Sequence, residues 1–498
     1  MAHQEKATSG VEWRITLEDG SSKSLVPDAG PVSRIWAGLG GLIAGLVLKV
    51  REFLRRAWDI GVDDPRKVIH CLKVGMALTA VSLFYFMRPL YNGLGGNAMW
   101  AIMTVVVVLE NTVGATIYKC SNRVFATTLA GFLAFGVHWV ASQSGQEFEP
   151  LITGASVFIL ASATTFSRFI PSVKALFDYG ALIFILTFSL VTVSGYRVDK
   201  LFDMACQRIS TILIGTCLCL LVTLFICPIW AGEELHVLIS RNMDKLANSL
   251  DGCVDEHFDY NDEHKDSDKQ PDKKLLGYKC VLSSKATEES MAKFARWEPA
   301  HGRFNFKHPW QQYLKIGASM RSCACCVAAL NSCIDSENQA PEFIKKHLSN
   351  ICLKVSSSSS SVLKEVAKTI KTMKRSSSIE LLVEEMSSAV QDLQHEIKSL
   401  PKLLSPPEVL HPESKETDDT TSTIHLLDVI PVVTLASLMI EISSRVQAIV
   451  ETVEELAELA QFKGEVQEKE KQNQPNTNRI VASQLNDDQQ TVKALERV

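Results

Sequence analysis

Five cations, Lys73, Arg88, Arg168, Lys174 and Arg208, fall within or at the ends of apolar stretches of this chain, and one carboxylate, Glu110, lies inside another. An ionised side chain in such surroundings is costly. It needs a counter-charge, a reach to lipid headgroups or a water-filled path. The chemistry open to a set of such Lys and Arg residues is electrostatic, because together they replace part of an anion's hydration and raise the barrier to cations. Lys73 follows Lys67 by six residues and Glu110 precedes Tyr118 by eight, which puts them about 9 Å and about 12 Å from one surface at 1.5 Å per residue. Two readings stay open. Either Lys73 and Glu110 pair and fix the packing of two spans, or Lys73 lines a permeation path. For Arg88, Arg168 and Arg208 the alternative to pore lining is snorkelling to headgroups.

Other groups carry less. Cys323, Cys325, Cys326 and Cys333 lie in a helical stripe without the spacing of a tetrahedral metal pair, so small buried thiols are the simpler reading. His70 and His138 have no Ser, Cys or carboxylate constellation, and neither an enzyme active site nor a cofactor or resident metal is expected. The 13 cysteines do not form a secreted disulfide framework and read as reduced thiols. Gly93, Gly95, Gly96 and Asn97 precede an apolar run. They make either a helix N-terminus open to an anion or a tight hairpin.

The elements that must position these residues follow from where charge is missing. In the 162 residues from 68 to 229 there are nine Lys/Arg and six Asp/Glu, whereas the other 336 hold 42 and 50. The chain therefore divides into a half with net charge +3 and a half with net charge −8, and a single soluble globule is excluded. Six candidate spans read at 68–87, 98–118, 124–141, 151–167, 179–194 and 204–229. The flanks alternate between nine and three basic residues, which places both termini in the cytosol. Tyr91, Trp139, Tyr179 and Trp230 lie near span ends, as an aromatic belt requires.

The expected fold is all-α, a six-helix transmembrane bundle followed by a cytosolic helical bundle. Its parts are an N-terminal tail at 1–50 with a short interfacial helix at 35–48, a membrane domain at 51–230, a cytosolic domain at 231–463 and a disordered tail at 464–498. Amphipathic stripes run over 233–254, 275–294, 310–333, 341–372, 379–400 and 424–462. The apolar run at 429–440 is too short for a seventh span and reads as a core helix. The serines 356–361 fit either a linker or the helical stripe around them.

Longer motifs point to a family. The run from Asp64 to Gly75 (DPRKVIHCLKVG), Met87-Arg88-Pro89-Leu90-Tyr91, Gly95 to Ala101 (GGNAMWA), Thr112 to Thr116 (TVGAT) and Tyr118-Lys119-Cys120 resemble the plant aluminium-activated malate transporter family of the aromatic acid exporter superfamily. Trp297-Glu298-Pro299, His301 to Phe304 and His308-Pro309-Trp310 extend the resemblance, which covers about 62–462. It implies a homodimeric anion channel in lipid, passing malate and in some members chloride, nitrate or sulfate, with no nucleic-acid partner. It also implies that Lys73, Arg88, Arg168, Lys174 and Arg208 form the positive lining of the pore. Trp297-Glu298-Pro299 is expected to be structural, with Trp packing and Pro starting a turn. Glu147, Glu149, Asp199 and Asp203 offer hard oxygens for a trivalent cation at the outer face, or only keep the outer loops free of positive charge. The plasma membrane is preferred to the vacuolar membrane. The rivals to a passive channel are a proton-coupled exchanger with Glu110 as carrier and a membrane-anchored scaffold.

Overall fold

The computed structural model describes residues 13–16, 22–25, 31–86, 98–145, 147–195, 201–258, 277–334, 341–404 and 426–464. They divide into two compact units, Met1–Leu72 and Lys73–Val498. In the first, β1 (Trp13–Thr16) pairs antiparallel with β2 (Ser22–Leu25), Trp13 opposite Leu25, and α1 (Pro31–Asp63) follows. The short helix expected at 35–48 is thus part of one 33-residue helix that also contains Lys49, Arg51, Arg55 and Arg56. Lys49 to Arg56 continue it because every residue between is a tolerable helix former and Glu52 pairs with Arg56 one turn on, at 2.5 Å. Leu46, Val47, Val50, Phe53, Leu54 and Trp58 are exposed along it.

The helical bundle contains α2 (Pro65–Phe86), α3 (Ala98–Val108), α4 (Val113–Gln143), α5 (Glu149–Ser167), α6 (Pro171–Gly195) and α7 (Leu201–Phe225). Proline opens α2 and α6 at the first helical position, where its missing N–H costs nothing. Four of these helices are long and apolar enough to cross a membrane, and α3 is apolar but shorter. One expectation is overturned here. The span at 98–118 stops at Val108, and α4 absorbs both the loop expected at 119–123 and the span at 124–141. The reason is local: Thr112 is extended (φ −105°, ψ 152°) and its hydroxyl accepts from the Ala115 N–H, a helix start that hydropathy does not register. Thr116 ties the break together, its Oγ1 accepting from Glu110 N at 3.1 Å and donating towards the carbonyls of Glu110 and Thr112.

Two small cores hold the bundle. One joins Ala77 and Val81 of α2, Ala101 and Val105 of α3, Cys120 of α4 and Cys219 and Val222 of α7; the other joins Ala126, Ala130 and Ala134 of α4 to Ile183, Phe184, Phe188 and Val191 of α6. Alanine along α4 lets the helices approach closely, as membrane helices do. The outward faces are apolar instead of polar. None of α5 is buried, and Phe158 and Phe166 are 73% and 71% exposed, an arrangement stable only with hydrocarbon as solvent. At 31 residues, α4 runs to about 46 Å, longer than the roughly 30 Å of hydrocarbon, so a few turns reach beyond it.

The C-terminal domain contains α8 (Ala231–Phe258), α9 (Gly277–Ser283), α10 (Lys285–Ala295), α11 (Trp310–Ile334), α12 (Glu342–Thr372), α13 (Ser378–Leu404) and α14 (Leu426–Leu459). The helical stripes match these elements, except that the stripe at 275–294 breaks at Ser284 into α9 and α10. One continuous core runs through all of them. The serine run is helical: Ser356, Ser359 and Ser360 are buried, Ser359 meets Ser443 of α14 at 3.1 Å, and Ser360 donates to Asp251 of α8. Although long and apolar enough to span a membrane, α14 buries Val432, Ala436, Met439, Ser443, Val446 and Ile449 in this core, as a core helix should. A parallel pair, β3 (Lys374–Arg375) with β4 (Lys463–Gly464), joins the segment after α12 to that after α14. Residues 259–276 and 405–425 and the tail beyond 464 lie outside the described residues.

Candidate functional site

Two lysines of the bundle, Lys73 and Lys119, lie at the end that meets the C-terminal domain, where α3 and α7 stop and α4 and α8 begin. The stop of α7 is sharp. Cys227 takes a left-handed conformation (φ 41°), and the buried Lys73 ammonium donates to its carbonyl at 2.8 Å. The stop of α3 has its own cation, Lys119, which donates to the Val107 carbonyl at 3.3 Å and also pairs with Glu110. Both lysines sit where free carbonyls and the negative end of the helix dipole favour a cation. Of the two readings left open for Lys73, the pairing with Glu110 is absent: among the described residues no ion pair joins them. Glu110 lies in the break at 109–112, where Lys119 is the nearer cation.

The two helix starts share one anion. Glu298 is buried, its Oε1 accepting from Gly114 N at 3.2 Å in α4 and Ala231 N at 2.5 Å in α8, while its Oε2 accepts from Gly232 N at 3.0 Å. One carboxylate thus answers the unpaired N–H groups of two helix N-termini, one in the bundle and one in the C-terminal domain. Burial pushes its carboxyl above the usual range, against the pull of these donors and of His301, whose Nε2 is 4.0 Å away. The fit depends on glycine. A Cβ at Gly114 would lie 2.3 Å from the Phe294 carbonyl oxygen, and one at Gly232 would lie 2.4 Å from the Trp310 ring. A backbone hydrogen bond from Val113 N to Ile229 O (2.9 Å) completes the junction.

Aromatic rings close around it. Tyr118 of α4 donates to the Leu176 carbonyl of α6 at 2.8 Å, meets Trp297 edge-on at 5.6 Å and carries Lys293 over its face at 4.3 Å. Trp230 stacks on His301 with centroids 3.8 Å apart. Trp230 is therefore a junction residue; Tyr179 contacts Arg123 through its hydroxyl, whereas Trp139 is exposed. Beneath the junction the buried Tyr313 hydroxyl lies 2.9 Å from His236 Nδ1 and 3.2 Å from His308 Nε2. Burial lowers both imidazoles to about 4 and raises the phenol.

The remaining expected residues are dispersed. Arg168 closes α5 and its Nε donates to Asp178 at 2.8 Å, a carboxylate that the sequence reading left without a role. Lys174 is exposed in the first turn of α6. Arg208 lies 4.6 Å over the Trp100 ring, joining α7 to α3 by a cation–π contact. Glu147 is exposed and Glu149 opens α5. Arg88 and Asp199 lie outside the described residues, as does the side chain of Asp203. Among the described residues no three His, Cys, Asp or Glu side chains cluster as metal ligands.

An all-α bundle of lipid-facing helices, continued by a packed helical domain through a charge-matched junction, defines a multi-pass membrane protein. Residues 58–417 match the family described as aluminium activated malate transporter. Aluminum-activated malate transporter 10 of Arabidopsis thaliana is 52% identical over 487 residues, covering 94% of this chain and 97% of the relative. Aluminum-activated malate transporter 1 of Triticum aestivum is 41% identical over 434 residues, 85% of this chain and 89% of the relative. Aluminum-activated malate transporter 2 of Arabidopsis thaliana is 44% identical over 417 residues, 83% and 79%. The chain belongs to the aluminium-activated malate transporter family.

Proposed function

We propose that the chain is a passive channel for malate and small inorganic anions in a plant plasma membrane, working as a homodimer surrounded by lipid. Both termini and the C-terminal domain lie on the cytosolic side in this reading. The positive field along the path comes from Lys73, Arg88, Arg168, Lys174 and Arg208, with several weak contacts letting a dicarboxylate enter and leave. Glu147, Glu149, Asp199 and Asp203 form an outer cation site. The observation that carries the proposal is the near full-length match to proteins named as malate transporters. The bundle adds physical means: Arg208 faces a ring and Lys73 a carbonyl, so neither charge is cancelled by a carboxylate among the described residues.

The exchanger reading needs a carboxylate free to titrate within the membrane, and the Lys119 pairing of Glu110 weighs against that role. Reversal potentials of patches carrying the protein, measured across a malate gradient, test the channel. They should follow the malate equilibrium potential and be set aside by Arg208→Glu. Currents that follow cations, or no current with confirmed membrane expression, would reject it.

A further inference from the structure

One buried cation of the bundle was expected to be a loop charge and has a different setting. Arg123 lies in the third turn of α4, is 5% exposed, and has only the Tyr179 hydroxyl near Nη1, at 3.4 Å; its Nε is buried without a hydrogen-bond partner. No carboxylate among the described residues pairs with it. Buried charges are normally paired, and an unanswered buried donor calls for water or an ion. The helices that pack at Arg123 also carry hydroxyls without a partner. Thr127, one turn on along α4, has a buried hydroxyl with no partner, as do Thr216 and Thr223 of α7. Thr79, Thr104 and Thr153 instead return their hydroxyls to the carbonyl four residues back.

The spacing puts Arg123 and these hydroxyls on the faces by which α4 and α7 pack. Cys120, Arg123 and Thr127 fall at i−3, i and i+4 on α4, while Thr216, Cys219 and Thr223 fall at i, i+3 and i+7 on α7. The helices pack on each other, Cys120 and Cys219 share one core, and Cys219 lies within electrostatic reach of Arg123. Lys119, one turn earlier, adds a second cation 5.5 Å from the Tyr179 ring.

We propose that Arg123 is the centre of an anion-binding site between α4, α6 and α7, holding a halide ion or one carboxylate group of an organic anion. The guanidinium supplies the charge and Tyr179, Thr127 and Thr216 the further donors. The proposal deepens the channel reading and rests on it for the site's purpose, as a resting place at the end of the bundle facing the C-terminal domain. Binding itself can be read without any current.

The test is the thermal stability of the detergent-purified full chain, titrated with chloride and separately with malate against a bulky sulfonate background. Wild type should be stabilised by at least one of the two anions, chloride alone marking a halide site and malate a carboxylate site. Arg123→Gln should weaken the apparent affinity roughly tenfold or more, as loss of a charge-assisted contact does. Should Arg123→Gln fail to stay monodisperse, the double variant Thr127→Val, Thr216→Val should weaken the affinity by a smaller factor with the fold intact. Stabilisation that is equal in wild type and both variants would overturn the site, as would bromide soaks that leave only water beside the guanidinium. Anion currents with unchanged binding in Arg123→Gln reject the site and keep the channel. Arg123-dependent binding in a chain that carries no current rejects the channel and keeps the site.

Discussion

In the C-terminal domain the buried charges are carboxylates with full sets of donors: Glu288 accepts from Arg321 and Ser284, and Glu298 from three backbone N–H groups. In the bundle the buried charges are cations with sparse partners, Lys73 on one carbonyl and Arg123 on one hydroxyl. The C-terminal domain uses its buried carboxylates to fix positions. The bundle keeps two buried cations, Lys73 and Arg123, whose charge no carboxylate among the described residues neutralises, at the cost of desolvation. Between the two lies the junction, where charge follows helix polarity: lysines at the ends of α7 and α3, a glutamate at the starts of α4 and α8.

The strongest way to break this contrast is to remove the shared anion. Glu298→Ala leaves two helix N-termini uncapped in a buried setting and should destabilise the chain by about 4 kcal/mol, two caps' worth. Melting of the purified protein, with proteolysis near 109–112 and 226–230 appearing first, checks it. Glu298→Ala that melts like wild type would show that the junction is held by packing alone.

Acid should separate the halves next. His236 is lowered from 6.5 to about 4 by burial and is neutral in the folded state. A depressed folded value means its stabilisation is complete above pH 6.5 and is lost as pH falls towards about 4, at most about 3 kcal/mol. His308 moves the same way, and both share the Tyr313 hydroxyl. Melting between pH 7.5 and 4.5 should show the loss, and His236→Gln should flatten that slope; a slope unchanged in His236→Gln would assign it elsewhere. A smaller effect tests the close approach. Gly114→Ala drives a Cβ into the Phe294 carbonyl and should cost about 2 kcal/mol, while Gly131→Ala on the same helix meets nothing within 4 Å and should be neutral or slightly stabilising. Equal melting of the two would remove the steric argument for glycine at the junction.

Helix positions in the C-terminal domain were legible because each stripe has one apolar face and one wet face. In the bundle that signal fades, since lipid and core are both apolar. Asn111-Thr112 with Gly114 was the available sign of a break inside 98–118, but a 19-residue hydropathy average passes over it. Arg123 was read as a loop charge for the same reason, and Asp178 was hidden among apolar neighbours four residues after Lys174. Trp297-Glu298-Pro299 stood out as a motif, yet its Trp and Pro drew the structural reading while Glu298 holds the junction. No spacing in the sequence tells that the starts of α4 and α8, more than a hundred residues apart, meet at one carboxylate.

Glu110 gives the mildest variant and the sharpest division between two modes of transport. Its pair with Lys119 is partly exposed, with side chains 37% and 26% accessible, so breaking it should cost no more than about 1 kcal/mol. Glu110→Gln should therefore fold and reach the membrane. If the cations of the bundle work as a static field, malate flux in Glu110→Gln stays within about fivefold of wild type, because the change alters any barrier by about 1 kcal/mol or less. Such flux also stays indifferent to an imposed pH gradient. A proton carrier cannot behave in that way, since the amide has no proton to exchange in this range. Uptake driven by a pH gradient in wild type and abolished in Glu110→Gln would move the working group from the cations to the helix break, and the bundle would have to be understood as an exchanger.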